Sequence, residues 1–206
     1  MPSRTLYPSF MTNDTALFLG QWLRSPGTVG AVAPSSRRLA ETMTSPVPHR
    51  GDPVIVELGP GTGAFTAEIQ RRLDGRGHHM AVEINPRLAE FLSARHPKVD
   101  VVVDDAARLP QLLQERGLHR ADVIVSGLPW AAFSQETQTR LLDAVITIMD
   151  SNAAFTTFAY SFAKRTPPAQ RFRRRLLDTF EEVVVGRTVW GNLPPAFVYH
   201  ARRPRM

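Results

Sequence analysis

The chain is 206 residues long, 43% hydrophobic, 21% charged and 8% aromatic, a composition that builds a packed core and excludes disorder, collagen-like repeats and a simple coiled coil. It has no cysteine, which excludes disulfides, thiolate metal sites and a cysteine nucleophile, and its six histidines never fall at metal-motif spacing, so no metal is expected. The net charge of +6 is uneven: residues 160–206 hold ten basic and three acidic side chains, an asymmetry that speaks for an anionic partner, nucleic acid or an anionic membrane surface.

Residues 1–13 read as an arm. From Asp14 an N-cap precedes Leu17, Phe18, Trp22 and Leu23 at helical spacing, the pattern of a short amphipathic helix. The segment 25–36 is uncharged and rich in turn formers, and Ser35 or Ser36 then caps a helix over Arg37–Met43. Residues 1–48 are thus expected as an N-terminal arm and helices, residues 49–206 as the main domain. The longest stretch without Asp, Glu, Lys or Arg is 14 residues, Thr188 to Ala201, broken by two prolines; it is too short to span a bilayer. No secretory leader is visible, so an intracellular protein is expected.

Val54–Leu58 is a continuous apolar run, followed by a glycine-rich turn and a helix over Ala64–Leu73. Strands at His79–Glu83, Val99–Val103, Ala121–Ser126 and Ala153–Tyr160 alternate with helices at Pro86–Arg95 and Thr137–Met149. Such alternation means parallel βαβ units and a doubly wound α/β sheet. The end departs from it: a helix over Pro168–Phe180 carries Phe172, Leu176 and Phe180 on one face, and strands Glu182–Trp190 and Ala196–Arg202 are joined as a hairpin by Gly191–Pro195.

The segment Glu57-Leu-Gly59-Pro-Gly61-Thr-Gly63 stands between strand and helix, where glycines let a ligand approach the backbone and a helix N-terminus offers free N–H groups. It is not GxGxxG, because the third glycine comes one residue early, and it is not a P-loop, because Gly63 is followed by Ala64 and Phe65. Glu57 at the strand end opposes a pyrophosphate and suits a cationic amino-acid group. Glu83, ending the second strand, can accept both hydroxyls of a ribose. Asp105, after the third strand, can accept the exocyclic amine of adenine. An ammonium, a ribose and an adenine without phosphate are the groups of S-adenosylmethionine.

These residues resemble the motifs of the class I S-adenosylmethionine-dependent methyltransferases: ExGxGxG, the acidic end of the second strand, and the Asp-Ala pair after the third. The resemblance implies a Rossmann-like, seven-stranded, mostly parallel sheet with an antiparallel C-terminal hairpin and N-terminal helices as a lid. It assigns Glu57, Gly59, Gly61 and Gly63 to the methionine part, Glu83 to the ribose, Asp105 and Ala106 to the adenine, and Ile84 to packing on the ring. Ser126-Gly-Leu-Pro-Trp130 occupies the place of the NLPY-type loop of rRNA adenine dimethyltransferases. Trp22–Pro26, Val29–Ser36 and Val189–Tyr199 look like the bacterial phospholipid N-methyltransferases. Two positions depart from the pattern: Asp104 stands where glycine is usual, and Asp150–Ala153 replaces Pro-Gly-Gly.

The implied activity is N-methylation of a phospholipid headgroup amine, phosphatidylethanolamine and its methylated forms, by a cytoplasmic protein held peripherally at the inner face of the cell membrane. RNA adenine N-methylation and small-molecule methylation are the alternatives. An alkyl amine has a pKa of about 10 and must lose a proton before attack; Tyr160, Tyr199 and His200 are candidate acceptors. Trp130, Phe133, Tyr160 and Trp190 are candidates for an aromatic cage around a methylated ammonium. Ser126, Trp130 and Tyr160 are therefore the expected catalytic residues, with Ser126 also near the cofactor. Leu17, Phe18, Trp22 and Arg24, together with Arg171, Arg173, Arg174 and Arg175, are the expected membrane contacts. The segment Pro26–Ser36 is the expected lid.

Overall fold

The computed structural model describes residues 35–205; the arm, the helix expected from Asp14 and the lid segment up to Pro34 lie outside the described residues. The elements in chain order are α1 (Arg37–Met43), β1 (Val54–Leu58), α2 (Ala64–Leu73), β2 (His78–Glu83), α3 (Pro86–Arg95), β3 (Asp100–Val103), α4 (Leu109–Gln114), β4 (Ala121–Ser126), α5 (Gln135–Thr147), β5 (Met149–Tyr160), α6 (Pro167–Thr179), β6 (Phe180–Val185) and β7 (Ala196–Pro204). Three 3-10 turns sit at Ala106–Arg108, Trp130–Ala132 and Ser161–Ala163.

The seven strands form one sheet in the order β3-β2-β1-β4-β5-β7-β6. Neighbours from β3 to β5 are parallel, and β7 runs antiparallel to both β5 and β6. This is the expected Rossmann-like doubly wound sheet. The chain leaves β1 toward β2 and β3, then returns to place β4 on its other side. That reversal opens a crevice at the carboxyl ends of β1 and β4, where open α/β sheets take their ligands.

Central strands buried on both faces need unbroken apolar runs, and Ile55, Val56 and Leu58 of β1 have no exposed surface. On one face Leu39, Ala40 and Met43 of α1 join Phe65, Ile69 and Leu73 of α2 over Ile55, Val123, Val125, Ala196 and Val198. Helix α1, read from sequence as part of the N-terminal segment, is thus built into this core. The other face is aromatic. Trp130 stacks on Phe172 of α6 (5.3 Å between centroids), Phe155 of β5 lies parallel to Phe180 (5.9 Å), and Phe172 meets Tyr199 edge-on (6.3 Å).

Three elements differ from expectation. Helix α4 went unread; it is only six residues long, with Pro110 in its first turn, where a missing N–H is harmless. Strand β5 begins at Met149 rather than Ala153: its pairing with β4 slips between Ala121 and Val123, and Asp150 Oδ1 ties the extra residues by accepting the N–H groups of Asn152 and Ala153 at 2.8 and 2.9 Å. The terminal hairpin is wider than expected. Strand β6 ends at Val185 and residues 186–195 form the connection, in which only Val189 bridges to Ala196. The connection turns away to reach α1, where the Ser36 N–H donates to Asn192 Oδ1 at 2.8 Å.

Candidate active site

The glycine turn joins β1 to α2 with Gly59, Gly61 and Gly63 at φ of 64°, 57° and 88°. All three lie in the left-handed region that L side chains rarely adopt, so the spacing is a conformational requirement. Their surroundings differ. A Cβ at Gly59 would fall 2.8 Å from Leu128 Cδ2 and one at Gly63 2.8 Å from Leu92 Cδ1, whereas one at Gly61 would meet nothing within 4 Å. Across the crevice Gly127 N–H donates to Leu58 O at 2.8 Å, and a Cβ there would stand 2.7 Å from Gly59 O. The β1 and β4 turns therefore touch backbone to backbone, and the open side of the turn lies at Gly61. Helix α2 starts with no side-chain cap, leaving its first N–H groups available to a ligand.

Glu57 stands one residue below the sheet edge on the face covered by α2, and it is fully buried. Its Oε2 accepts the Thr66 hydroxyl at 2.7 Å and lies 3.2 Å from His79 Nε2. Gln70 Nε2 lies 3.0 Å from His79 Nδ1, so Gln70, His79 and Glu57 form one chain of side-chain contacts beneath the turn. Glu57 Oε1 has no hydrogen-bond partner. The carboxylate expected at the mouth is enclosed beneath the turn. It is a buried carboxylate with one unfilled acceptor oxygen rather than an open side chain.

Glu83 ends β2 at 2% exposure. Its Oε1 accepts Asn85 N–H at 2.9 Å and its Oε2 accepts Gly61 N–H at 3.2 Å, which joins the second strand to the glycine turn. Burial pushes its carboxyl above the usual range and nearby Glu57 adds to that, against the backbone N–H groups of Asn85, Gly61 and Ile84. Ile84 follows, half-buried. Asp105 caps the turn at Ala106, its Oδ1 accepting Ala107 N–H at 2.9 Å and its Oδ2 paired with Arg140 at 3.1 Å. Asp104, the departure from pattern, bonds Asp105 N–H at 2.7 Å and Arg108 at 2.6 Å. The structure brings Glu57, Gly59, Gly61, Gly63 and Glu83 together around the β1–α2 turn, with Glu83 hydrogen-bonded to Gly61. It places Ile84, Asp105 and Ala106 along the same sheet edge.

The expected catalytic residues separate. Ser126 is fully buried, and its Oγ accepts Trp130 Nε1–H at 2.9 Å and Leu128 N–H at 3.4 Å. Trp130 is 2% exposed, with one face covered by Phe172. The pair braces the 126–130 loop from within and presents no free face for a cage, because the indole N–H needs a buried acceptor and finds it in Ser126. Phe133 is likewise buried, and Trp190 is 77% exposed on the β6–β7 connection. Of the expected cage only Tyr160 stands half-buried at the end of β5, stacked on Phe162 at 5.7 Å. Burial pushes its phenol up to about 12, so it is a neutral hydroxyl at physiological pH. Tyr199 is buried in the aromatic face and its phenol is also raised by burial. His200, lowered by burial and by Arg202, pairs with Thr156 and Val184 on the neighbouring strands, below the edge. Sequence reasoning missed Thr66, Gln70 and His79. Their signal is register, since Ile55 pairs with His79 and so places it beside Glu57 on one face.

An enclosed acidic site, a ribose-type carboxylate and an open glycine turn free of lysine fit a phosphate-free cationic nucleoside. Comparison with known proteins agrees. Residues 44–167 match the ribosomal RNA adenine dimethylase family. The chain is 34% identical over 92% of its length, and 96% of the other's, to the ornithine lipid N-methyltransferase of Singulisphaera acidiphila. The chain belongs to the ribosomal RNA adenine dimethylase family and is an S-adenosylmethionine-dependent methyltransferase. This methyltransferase is also 35% identical to a probable ribosomal RNA small subunit methyltransferase A of Pyrobaculum islandicum, but over 53% of its own length and 43% of that protein's. Human methyltransferase-like protein 13, solved in complex with SAH, shares the fold, with a TM-score of 0.61, 14% identity and 81% of each chain covered. Among the described residues of the methyltransferase no helix is long and apolar enough to cross a membrane.

Proposed function

We propose that this methyltransferase methylates the amine of a lipid headgroup, that of an ornithine lipid or of phosphatidylethanolamine and its methylated forms, at a membrane surface. The observation that carries the reading is the extent of likeness. The lipid enzyme matches almost end to end, while the rRNA enzyme matches over about half of this chain and less than half of its own. The glycine turn would lie against the methionine part, with Glu57 beneath it as countercharge. Glu83 would take the ribose, and Asp105, Ala106 and Ile84 the adenine.

When bound, S-adenosylmethionine supplies an electrophilic methyl carbon for in-line displacement. The protein's part is to align the acceptor nitrogen and exclude water. The acceptor amine would have to reach the site in its neutral form, its proton given up to solvent before it is held in line. Tyr160, protonated at physiological pH, serves to orient the amine through its hydroxyl and aromatic face rather than to remove that proton.

The family match favours RNA as a second reading. The deciding experiment incubates the protein with labelled S-adenosylmethionine and, in separate arms, ornithine lipid, phosphatidylethanolamine and ribosomal RNA. Label in either lipid arm is expected. Label in RNA alone replaces the lipid reading with the nucleic-acid one.

A further inference from the structure

Three large apolar side chains stand out of one rim of the molecule: Phe162 at 66% exposure, Trp190 at 77% and Leu193 at 72%. They belong to two segments, the turn after β5 and the β6–β7 connection, that are fastened together. Ser161 N–H donates to Pro195 O at 2.8 Å. Asn192, only 2% exposed, holds Ser36 N–H through Oδ1 at 2.8 Å and donates to Pro194 O through Nδ2 at 2.7 Å. The exposed side chains are therefore carried on a braced frame. Single exposed apolar residues need no explanation, but a group of them on one rim marks a surface meant to be covered.

The charge of the rim says by what. Residues 160–167 and 186–195 contain Lys164, Arg165 and Arg187 and no acidic residue. Arg38 of α1 joins Arg187 and Trp190 in lining a cleft of about 630 Å³. Glu41, the acid in that cleft, is engaged by Arg37 at 3.0 Å, while the guanidinium groups of Arg38 and Arg187 have no ion-pair partner among the described residues. Projecting aromatic and aliphatic tips ringed by cations, of which Lys164 also lies over the Phe197 ring at 5.5 Å, match the apolar boundary and anionic headgroups of a bilayer. A single-stranded RNA would stack on planar groups and has no use for the projecting Leu193.

We infer that this rim docks on an anionic phospholipid bilayer, with Phe162, Trp190 and Leu193 entering the headgroup–acyl boundary and Arg38, Lys164, Arg165 and Arg187 meeting the phosphates. Its residues are not the ones expected from sequence to meet the membrane, which were Leu17, Phe18, Trp22 and Arg24 with the arginines of α6. Tyr160, stacked on Phe162, links it to the mouth of the site, so docking delivers headgroups there. The inference rests on the lipid reading above for its purpose, and its test does not need turnover.

The test uses the full chain, sedimented with vesicles of phosphatidylcholine alone and of phosphatidylcholine with phosphatidylglycerol. The wild type is expected to pellet with the anionic vesicles and to show a blue shift of tryptophan emission that Trp190→Phe removes. Trp190→Ser combined with Leu193→Ser is expected to lower partitioning by at least tenfold, and Arg38→Gln and Arg187→Gln by about fivefold each. Unchanged melting temperature and S-adenosylmethionine affinity show that the fold and cofactor site are intact. Undiminished vesicle binding by these variants overturns the inference. So does a loss confined to RNA binding, or to self-association by light scattering. If vesicles are bound through the rim but no lipid is methylated, the docking surface stands and the proposed substrate falls.

Discussion

Gly61 and Gly127 occupy the same crevice, and their alanine variants should part ligand binding from folding. Gly61→Ala adds a methyl group where nothing lies within 4 Å, at a φ of 57°. It should fold with a loss of about 1–2 kcal/mol from the left-handed backbone and bind S-adenosylmethionine at least tenfold more weakly in calorimetry. Gly127→Ala drives a methyl group to 2.7 Å from Gly59 O. A backbone oxygen cannot swing aside, so the larger loss should be in stability, about 3 kcal/mol by denaturant unfolding. Glu83 gives the opposite pairing. Its carboxyl is raised by burial from an ordinary 4.5, so its contribution to stability is full below 4.5 and is lost as pH rises through the raised value. Glu83→Gln should unfold at the same or higher temperature at neutral pH, with a flatter stability profile as pH rises above the ordinary 4.5, yet bind the cofactor more weakly. At this scale the glycines and strand-end carboxylates were legible because type and spacing alone carry their chemistry. The enclosure of Glu57 was not, since it depends on a parallel register that sets His79 beside it, and neither was the bracing role of Ser126 and Trp130, which follows from the packing of Phe172.

Among the elements, the tie between β3 and the end of α4 is electrostatic. Arg116 donates to both oxygens of Asp100, through Nη2 at 3.1 Å and through Nε, and His78 Nε2 lies 3.2 Å away. Burial pushes the Asp100 carboxyl up, but the Arg116 bonds and charge, with His78, outweigh it and leave it below its ordinary 3.8. A lowered carboxylate contributes stability above its unfolded value and loses it as pH falls toward the folded one. Arg116→Met should therefore cost about 1–3 kcal/mol at neutral pH and progressively less below pH of about 4, read by urea unfolding at several pH values. The strands β1, β2 and β4 were readable because each is a short apolar run closed by a turn or a carboxylate. Helix α4, six residues long, is too short to show a helical period, and the length of the β6–β7 connection hid because its anchor, Asn192 on Ser36 N–H, lies 156 residues away in sequence.

For the whole molecule, composition and strand–helix alternation sufficed to predict a doubly wound sheet, and the positive bias of residues 160–206 pointed to an anionic partner. They could not say where that partner would touch, because the exposed tips at 162, 190 and 193 are brought together only by the pairing of β5 with β7. That pairing has a consequence for biogenesis. Strand β7 follows β6 in the chain yet lies inside it, between β5 and β6. While the polypeptide is emerging from the ribosome, β5 keeps a bare edge of unpaired amides until residues 196–204 have been added. The nascent protein is then open to nonproductive strand pairing at the moment when most of its sheet has formed.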